Sequence, residues 1–391
     1  MRLLHVVSTM NPAAGGIVSA LSALSEELEQ SGHESKTVCL DPPDAKWIAQ
    51  ANSPVVALGR GRTSYQYHPA LRNFLSAQAA DVIVAHGLWQ YTGYATRSAA
   101  RQSGRPYFVF PHGMLDPWFK RTYPLKHLKK WIYWPWGEYR VLRDAARVLF
   151  TCEEERRLAR ESFSNFYRAR EAVVGLGLRD PASGAGTMRD EFFRRQPELA
   201  GKRIVLYLGR LHPKKGLEML LPAFGKWCGA EGNLRLVIAG SVAGPGVGPE
   251  YLDVLKRCAE KSCPPQSVHF CGLLLGDEKR ELLAASEVFV LPSHQENFGM
   301  AVAEALSFSV PVLITNKVNV WREIEDDGAG LVEPDTGDGI GRLLQRWLTL
   351  PEEEKIQMRK LARTCFEQRF DVRKVGATLV KILADDVARA A

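Results

Sequence analysis

The chain has 391 residues, 46% of them hydrophobic, enough for two domains with ordinary cores, which excludes a small scaffold held together by cross-links. Its net charge of +7 is confined to the first half: residues 1–175 carry 22 Lys+Arg against 15 Asp+Glu, and residues 176–391 carry 29 against 29. Seven cysteines without a C-x-x-C pair, Cys39 and Cys271 inside apparent strands, point to reduced, packed thiols in a cytosolic protein and away from a cysteine metal site.

Apolar runs are strand-sized and none approaches about 18 uncharged residues, so no membrane-spanning helix is expected. The opening M-R-L-L-H-V-V-S-T, interrupted by His5, is too short for a signal-peptide core and reads as the first strand, ending at Thr9. The loop Met10–Gly16 then leads into a helix with Ile17, Leu21, Leu24 and Leu28 on one face. Gly15 and Gly16 at its start have two readings: a tight strand-to-helix turn, or a place where bare amides approach a diphosphate. The G-x-G-x-x-G spacing of a nicotinamide-binding fold is missing.

A strand over Asp81–Ala85 ends at His86, and a strand over Tyr107–Phe110 ends at Pro111-His112-Gly113. Two histidines at the carboxyl ends of neighbouring strands face one cleft, either as structural hydrogen-bonders or as functional groups. The stretch W-F-K-R-T-Y-P-L-K-H-L-K-K-W-I-Y-W-P-W, from Trp118 to Trp136, mixes bases with aromatics around a short helix between Pro124 and Pro135. Residues 117–147 hold eight Lys+Arg (Lys120, Arg121, Lys126, Lys129, Lys130, Arg140, Arg143, Arg147) against Glu138 and Asp144. Such a mixture suits an anionic membrane surface or an anionic lipid-linked acceptor, and equally a core of rings beneath solvated lysines. Nucleic acid is not expected, since no binding motif accompanies the charge.

After a strand over Val148–Thr151, C-E-E-E-R-R reads as a helix start with acids first, as the helix dipole prefers. Gly175–Thr187 has linker composition and closes a first domain at residue 175. The second opens with a strand over Ile204–Leu208, then G-R-L-H-P-K-K-G, then a helix over Leu217–Trp227. Arg210 at the strand end and Lys215 just before the helix would converge on a diphosphate. Strands over Leu234–Ala239, Val268–Cys271 and Val288–Leu291 alternate with helices around Tyr251–Cys258 and Asp277–Ala285, and an amphipathic stretch over Val372–Val387 closes the chain.

The segment Pro292–Pro311, between the strand Val288–Leu291 and a strand over Val310–Ile314, lies at the carboxyl edge of a parallel sheet, where open α/β sheets bind ligands. Glu296 sits in its loop and Glu304 in the second turn of a helix starting near Gly299. The amides of Phe298, Gly299 and Met300 would point at a bound anion. Two readings stand: the loop acid faces a sugar and the helix acid faces ribose hydroxyls, or both are ordinary dipole and surface acids.

S-H-Q-E-N-F-G-M-A-V-A-E-A-L, with its E-x7-E spacing, together with G-R-L-H-P-K-K-G and P-H-G-M-L-D-P-W, resembles the retaining glycosyltransferases of family 4 over essentially the whole chain. The resemblance implies an α/β GT-B fold of two facing Rossmann-like domains, 1–175 and 176–366, with a terminal helix in 367–391 crossing back to the first. It implies transfer from a UDP- or GDP-sugar to a saccharide or lipid-linked acceptor, in bacterial surface polysaccharide or glycolipid synthesis; the expected location is the cytoplasm, with the basic stretch 117–147 allowing a place at the inner face of the membrane. His112, Glu296, Arg210 and Lys215 would be catalytic. Gly15, Gly16, Arg210, Lys215, Glu296, Asn297, Phe298, Gly299, Met300 and Glu304 would bind the donor, and His86 the sugar or acceptor. No cofactor and no divalent metal is expected, since no D-x-D stands at a strand end. A nucleotide-sugar 2-epimerase on the same fold and a non-catalytic nucleotide-sugar-binding module are the alternatives.

Overall fold

In a computed structural model describing residues 1–163, 166–181, 185–228, 232–244 and 246–390, the chain forms two compact units, 1–179 with 369–391, and 180–368. Each is built on one parallel sheet. The first has strands β1 (Arg2–Val6), β2 (Glu34–Cys39), β3 (Val55–Ala57), β4 (Val82–His86), β5 (Tyr107–Phe110), β6 (Arg147–Phe150) and β7 (Glu171–Val173), in the order β3-β2-β1-β4-β5-β6-β7. The second has β8 (Arg203–Leu208), β9 (Leu234–Ala239), β10 (Val268–Gly272), β11 (Val288–Leu291), β12 (Val312–Thr315) and β13 (Gly330–Glu333), in the order β10-β9-β8-β11-β12-β13.

Sequences such as V-I-V-A and Y-F-V-F form these strands because a central parallel strand is buried on both faces and so needs no polar alternation. In the first sheet, Leu4, Val6, Ile83, Ala85 and Val109 pack on one face, and their alternates Leu3, Val82, Val84, Phe108 and Phe110 on the other. Two helices cover that second face: Gly16–Gln30 through Ala23, Leu24 and Leu28, and the final helix Val372–Ala390 through Val375, Leu379 and Leu383. The terminal helix thus belongs to the first unit, as the resemblance implied. Arg147 fastens it with a two-pronged bond to Asp386, Nε to Oδ2 at 2.5 Å and Nη2 to Oδ1 at 3.1 Å.

The glycines after β7 serve close packing, not looseness. A Cβ on Gly177 would lie 2.6 Å from Val372 Cα. That approach lets the outgoing and returning segments pair: Leu178 N donates to Phe370 O (2.8 Å) and Val372 N to Leu178 O (2.9 Å). The linker expected through Thr187 is also shorter than its composition suggested, because a helix runs over Ala185–Arg195 and takes in Gly186 and Thr187. Residues 182–184 of that stretch lie outside the described residues. The first strand stops at Val6, three residues before its expected end, where Ser8–Asn11 turn into the next element.

Leu379 is fully buried between the terminal helix and the sheet. Leu379→Ala should destabilise the first unit by about 3 kcal/mol, the usual scale for a buried Leu truncation. Denaturant unfolding should show a lowered midpoint for Leu379→Ala and an unchanged one for the exposed Lys381→Ala; equal midpoints would place the helix outside the core.

Candidate active site

In the first unit, strand order reverses between β1 and β4, and polar side chains gather at that junction. His5 lies in β1, His86 ends β4, and His112 follows β5. His5 Nδ1 is 3.0 Å from His86 Nε2, and His86 Nδ1 is 2.9 Å from His112 Nε2. The rings of His86 and His112 stack at 5.2 Å, and each stacks on Phe110 at 5.4 Å. Burial pushes His5 and His112 down to about 4; it also holds His86 well below the usual range, with the charges of His112 and His5 adding to the effect. The structure therefore brings together the two histidines singled out from strand ends and adds a third. His5 looked like an interruption in an apolar run, and its only signal was a polar residue where a doubly buried strand wants none.

The loops carrying these groups are strained, and buried acids hold them. His112 has φ +50° and Trp89, in the loop after β4, has φ +69°, conformations unusual for residues with a Cβ. Glu155 accepts from Gly113 N (2.5 Å), Thr151 N (2.8 Å) and Thr151 Oγ1 (2.6 Å), tying the His112 loop to the end of β6. Burial raises its carboxyl, against the pull of those three donors. Glu138 accepts from Trp89 N at 2.6 Å, and the Lys130 ammonium lies 4.4 Å over the Trp89 ring. The C-E-E-E run is thus more than a dipole-favoured helix start: exposed Glu153 pairs with Arg156, whereas Glu155 turns inward.

In the second unit the order reverses between β8 and β11, and the loops after those strands press together. Gly216, at φ +71°, ends the turn Pro213–Lys215, and a Cβ there would sit 2.1 Å from Pro292 O. His294 N donates to Lys214 O at 2.9 Å. This contact turns Lys215 inward, where its ammonium bonds Glu296. Burial foremost, then Lys214 and Arg210, push the Lys215 pKa down to about 7, and its ammonium bonds the Glu296 carboxylate. Glu296 is fixed through its backbone, N to Lys317 O at 2.9 Å and O from Asn319 N at 3.0 Å.

Arg210 is exposed, its carbonyl taking the Tyr207 hydroxyl at 2.8 Å. Gly299, at φ +80°, starts the helix Met300–Ser307, and no side chain caps it. Asn297 and the buried Phe298 precede it. Glu304 is bonded by Lys279 Nζ at 2.8 Å. Gly15, at φ +96°, begins the helix Gly16–Gln30 with nothing within 4 Å of where a Cβ would stand, so its backbone is open to approach. Arg210, Lys215, Glu296 and the helix start are therefore neighbours on one strand pair. The lysine partners of Glu296 and Glu304 were not foreseen, because pairs 81 and 25 positions apart leave no mark in local spacing.

Burial pushes Glu138 up from 4.5 to about 7, the Trp89 amide and Lys130 opposing. A raised carboxyl binds its proton more tightly in the folded chain, so its stabilising contribution is whole below pH 4.5 and is lost as pH rises through about 7. Glu138→Gln keeps an acceptor for Trp89 and removes the titration. The melting temperature of wild type should therefore fall relative to Glu138→Gln across that window, by the equivalent of about 3 kcal/mol. A constant difference would refute the assignment.

Residues 188–364 match the family model described as glycosyl transferases group 1, and residues 15–177 that described as glycosyl transferase 4-like domain. Two mannosyltransferases of Mycobacterium tuberculosis are similar along the chain. The GDP-mannose-dependent alpha-mannosyltransferase is 26% identical over 80% of this chain and 78% of its own. The GDP-mannose-dependent alpha-(1-6)-phosphatidylinositol dimannoside mannosyltransferase is 22% identical over 95% and 92%. The chain spans about half the length of several other curated relatives it matches. Among solved structures, Anabaena Alr3699/HepE in complex with UDP superposes with a TM-score of 0.76 at 18% identity, covering 98% of this chain and 100% of that one. Sucrose-phosphate synthase from Thermosynechococcus elongatus does so at 0.75 and 16%, covering 100% of both. The two family matches between them take in all but the ends and a short join, and the chain is a glycosyltransferase of the group 1, 4-like type with the GT-B fold.

Proposed function

We propose that the protein is a retaining hexosyltransferase that moves a sugar from a UDP- or GDP-sugar to a saccharide or lipid-linked acceptor. The observation that carries this reading is the buried Lys215 beside Arg210 at the carboxyl ends of β8 and β11, next to the uncapped start of helix Met300–Ser307. Two cations and a helix start around one point suit a diphosphate. The mannosyltransferase relatives use GDP-mannose and the Anabaena neighbour binds UDP, which supports both bases as candidates.

In the proposed reaction the bond from the anomeric carbon to the β-phosphate oxygen breaks and charge builds on that phosphate. Arg210 and Lys215 stabilise it from fixed positions, without a divalent metal. Lys215 exchanges Glu296 for phosphate, and the released carboxylate accepts hydroxyls of the sugar. Glu304, eight positions on, accepts from the ribose, giving the E-x7-E pair its two roles. The acceptor oxygen bonds the anomeric carbon on the face the phosphate leaves, and its proton passes to a phosphate oxygen, so configuration is retained. His112 contacts the sugar.

We also assign residues 117–147 to an anionic membrane surface carrying a lipid-linked acceptor. The helix Pro124–Tyr133 and the residues after it divide by face. Leu125, Ile132 and Trp136 are 78%, 70% and 73% exposed, while Trp134 is buried, stacked on Phe163 at 3.7 Å. Exposed apolar side chains among Lys120, Lys126 and Lys129 fit the lipid interface, with the rings beneath them serving the core. No helix among the described residues is long and apolar enough to cross a membrane, so contact would be peripheral.

Titration with UDP and GDP in the presence of EDTA should find one nucleotide that binds. Arg210→Ala and Lys215→Ala should each weaken it by roughly tenfold or more, since a charged hydrogen bond contributes about 1.5–3 kcal/mol. Glu304→Gln should weaken the nucleotide too, whereas Glu296→Gln should spare it and abolish transfer; equal effects would sink the division of roles. Product anomers read by NMR decide retention, and release of a free sugar epimer without acceptor would establish the epimerase instead. Separately, the protein should sediment with anionic vesicles at low salt and not at high salt. Lys120, Lys126 and Lys129 changed together to Gln should abolish sedimentation without affecting the nucleotide; wild type left in the supernatant refutes the membrane assignment.

A further inference from the structure

The three histidines of the first unit are joined in series, His5 Nδ1 to His86 Nε2 and His86 Nδ1 to His112 Nε2, and that connectivity has a chemical consequence. A neutral imidazole has one N–H and one bare nitrogen, and each bond between two rings holds one proton. The middle ring takes part in both bonds, so choosing the direction of one fixes the other. Either all three rings are protonated on Nδ1, or all three on Nε2. All three are neutral near pH 7, since burial lowers each of them.

The two arrangements differ only at the ends. Protonation on Nδ1 throughout leaves a bare lone pair at His5 Nε2 and an N–H at His112 Nδ1; protonation on Nε2 throughout does the reverse. Both terminal nitrogens are buried without a partner among the described residues, but their surroundings are unlike. His5 is fully buried on the strand face that holds Leu3, Val84 and Phe108, so an N–H at its far side would be desolvated and unpaired. His112 stands in a partly exposed loop and borders, with His86, Phe110, Ile17 and Leu176, a crevice of 10 Å³. That is about the room one ligand oxygen requires, and the two histidines are the polar side chains on its wall. A lone pair is the cheaper group to strand in an apolar interior, and the N–H belongs at the end that can reach an oxygen.

We propose that His5 and His86 are positioning residues that fix His112 in its Nδ1–H tautomer, so that His112 offers the reaction site a hydrogen-bond donor and not a base. The consequence for catalysis rests on the reading of His112 as a sugar contact; the relay itself does not. A donor there can bind a sugar oxygen but cannot take the acceptor's proton, which leaves that proton to the departing phosphate.

Long-range proton–nitrogen correlation spectra of protein labelled with ¹⁵N-histidine, recorded at pH 7, test the relay directly. Each ring of wild type should show a protonated Nδ1 and a bare Nε2. His5→Leu lies two hydrogen bonds away from His112 Nδ1 and should convert His112 from one tautomer to a mixture, lowering kcat for sugar transfer at unchanged nucleotide affinity. His5→Asn, whose amide can donate to His86 from nearly the same place, should keep the wild-type His112 spectrum. A wild-type His112 protonated on Nε2 overturns the proposal, as does a His112 tautomer indifferent to His5→Leu. Should His112 be protonated on Nδ1 while no nucleotide sugar supports transfer, the relay stands and the functional reading falls.

Discussion

A parallel strand covered on both faces offers polar chemistry only at its ends, and this constraint sets where each unit places its reactive groups. In both sheets the central strands are continuous apolar runs, and helices close both faces of the first. Reversal of strand order between β1 and β4, and between β8 and β11, parts the crossover helices on either side of one strand pair. The gap admits side chains that the rest of the sheet excludes. His5 is the informative exception, a polar group inside the strand, and it is tolerated because His86 satisfies one of its nitrogens.

Holding such groups at a strand end requires backbone shapes that local preference opposes, and the two units meet that requirement differently. The first unit uses buried carboxylates: Glu138 on Trp89 N and Glu155 on Gly113 N hold loops whose residues sit at positive φ. Burial pushes both carboxyls up, against the backbone and hydroxyl hydrogens they accept and, for Glu138, against the nearby Lys130. The second unit uses glycine and an ion pair. Gly216 lets the loop after β8 touch Pro292, and that contact delivers Lys215 to Glu296. A buried ion pair with one partner removed is strongly destabilised. In the proposed reaction a diphosphate taking the place of Glu296 at Lys215 would meet a requirement the fold already imposes, and the freed carboxylate would need new donors, a role that sugar hydroxyls could fill.

How much of this was legible in the sequence follows from range. Runs such as Tyr107–Phe110, Leu234–Ala239 and Val288–Leu291 are strands with the bounds read from their composition, because a doubly buried strand is written entirely in its own residues. The position of His112 follows from the first of those bounds, and those of His86, Arg210 and Lys215 from strands whose observed bounds, Val82–His86 and Arg203–Leu208, lie within one residue of the expected ones. The three-residue strands β3 and β7 lie at the sheet's edges and are too short to show a period. Glu138 and Glu155 sit in charged stretches where an inward acid looks like its solvated neighbours; only the fold shows that one reaches Trp89 and the other Gly113. Gly175 and Gly177 read as linker composition because glycine marks both freedom and close approach, and the distance to Val372 decides for approach.

The aromatic and basic stretch resisted a single reading for a physical reason: the helix keeps apolar side chains exposed on one face and packs its rings into the core on the other. Leu125, Leu128 and Ile132 point outward, whereas His127, Trp131 and Trp134 pack around Phe163. Lys130 faces inward as well, its pKa lowered by burial with Glu138 opposing. It lies over Trp89, and Tyr133 of the same helix meets Tyr65 hydroxyl to hydroxyl at 2.9 Å. Trp89 follows β4 three residues after His86, so the helix that offers an apolar edge to its surroundings is also packed on the loop beside the histidine chain. Its two faces cannot move independently, since a displacement large enough to seat Leu125 and Ile132 elsewhere would shift Lys130 over Trp89 and strain the amide that Glu138 holds.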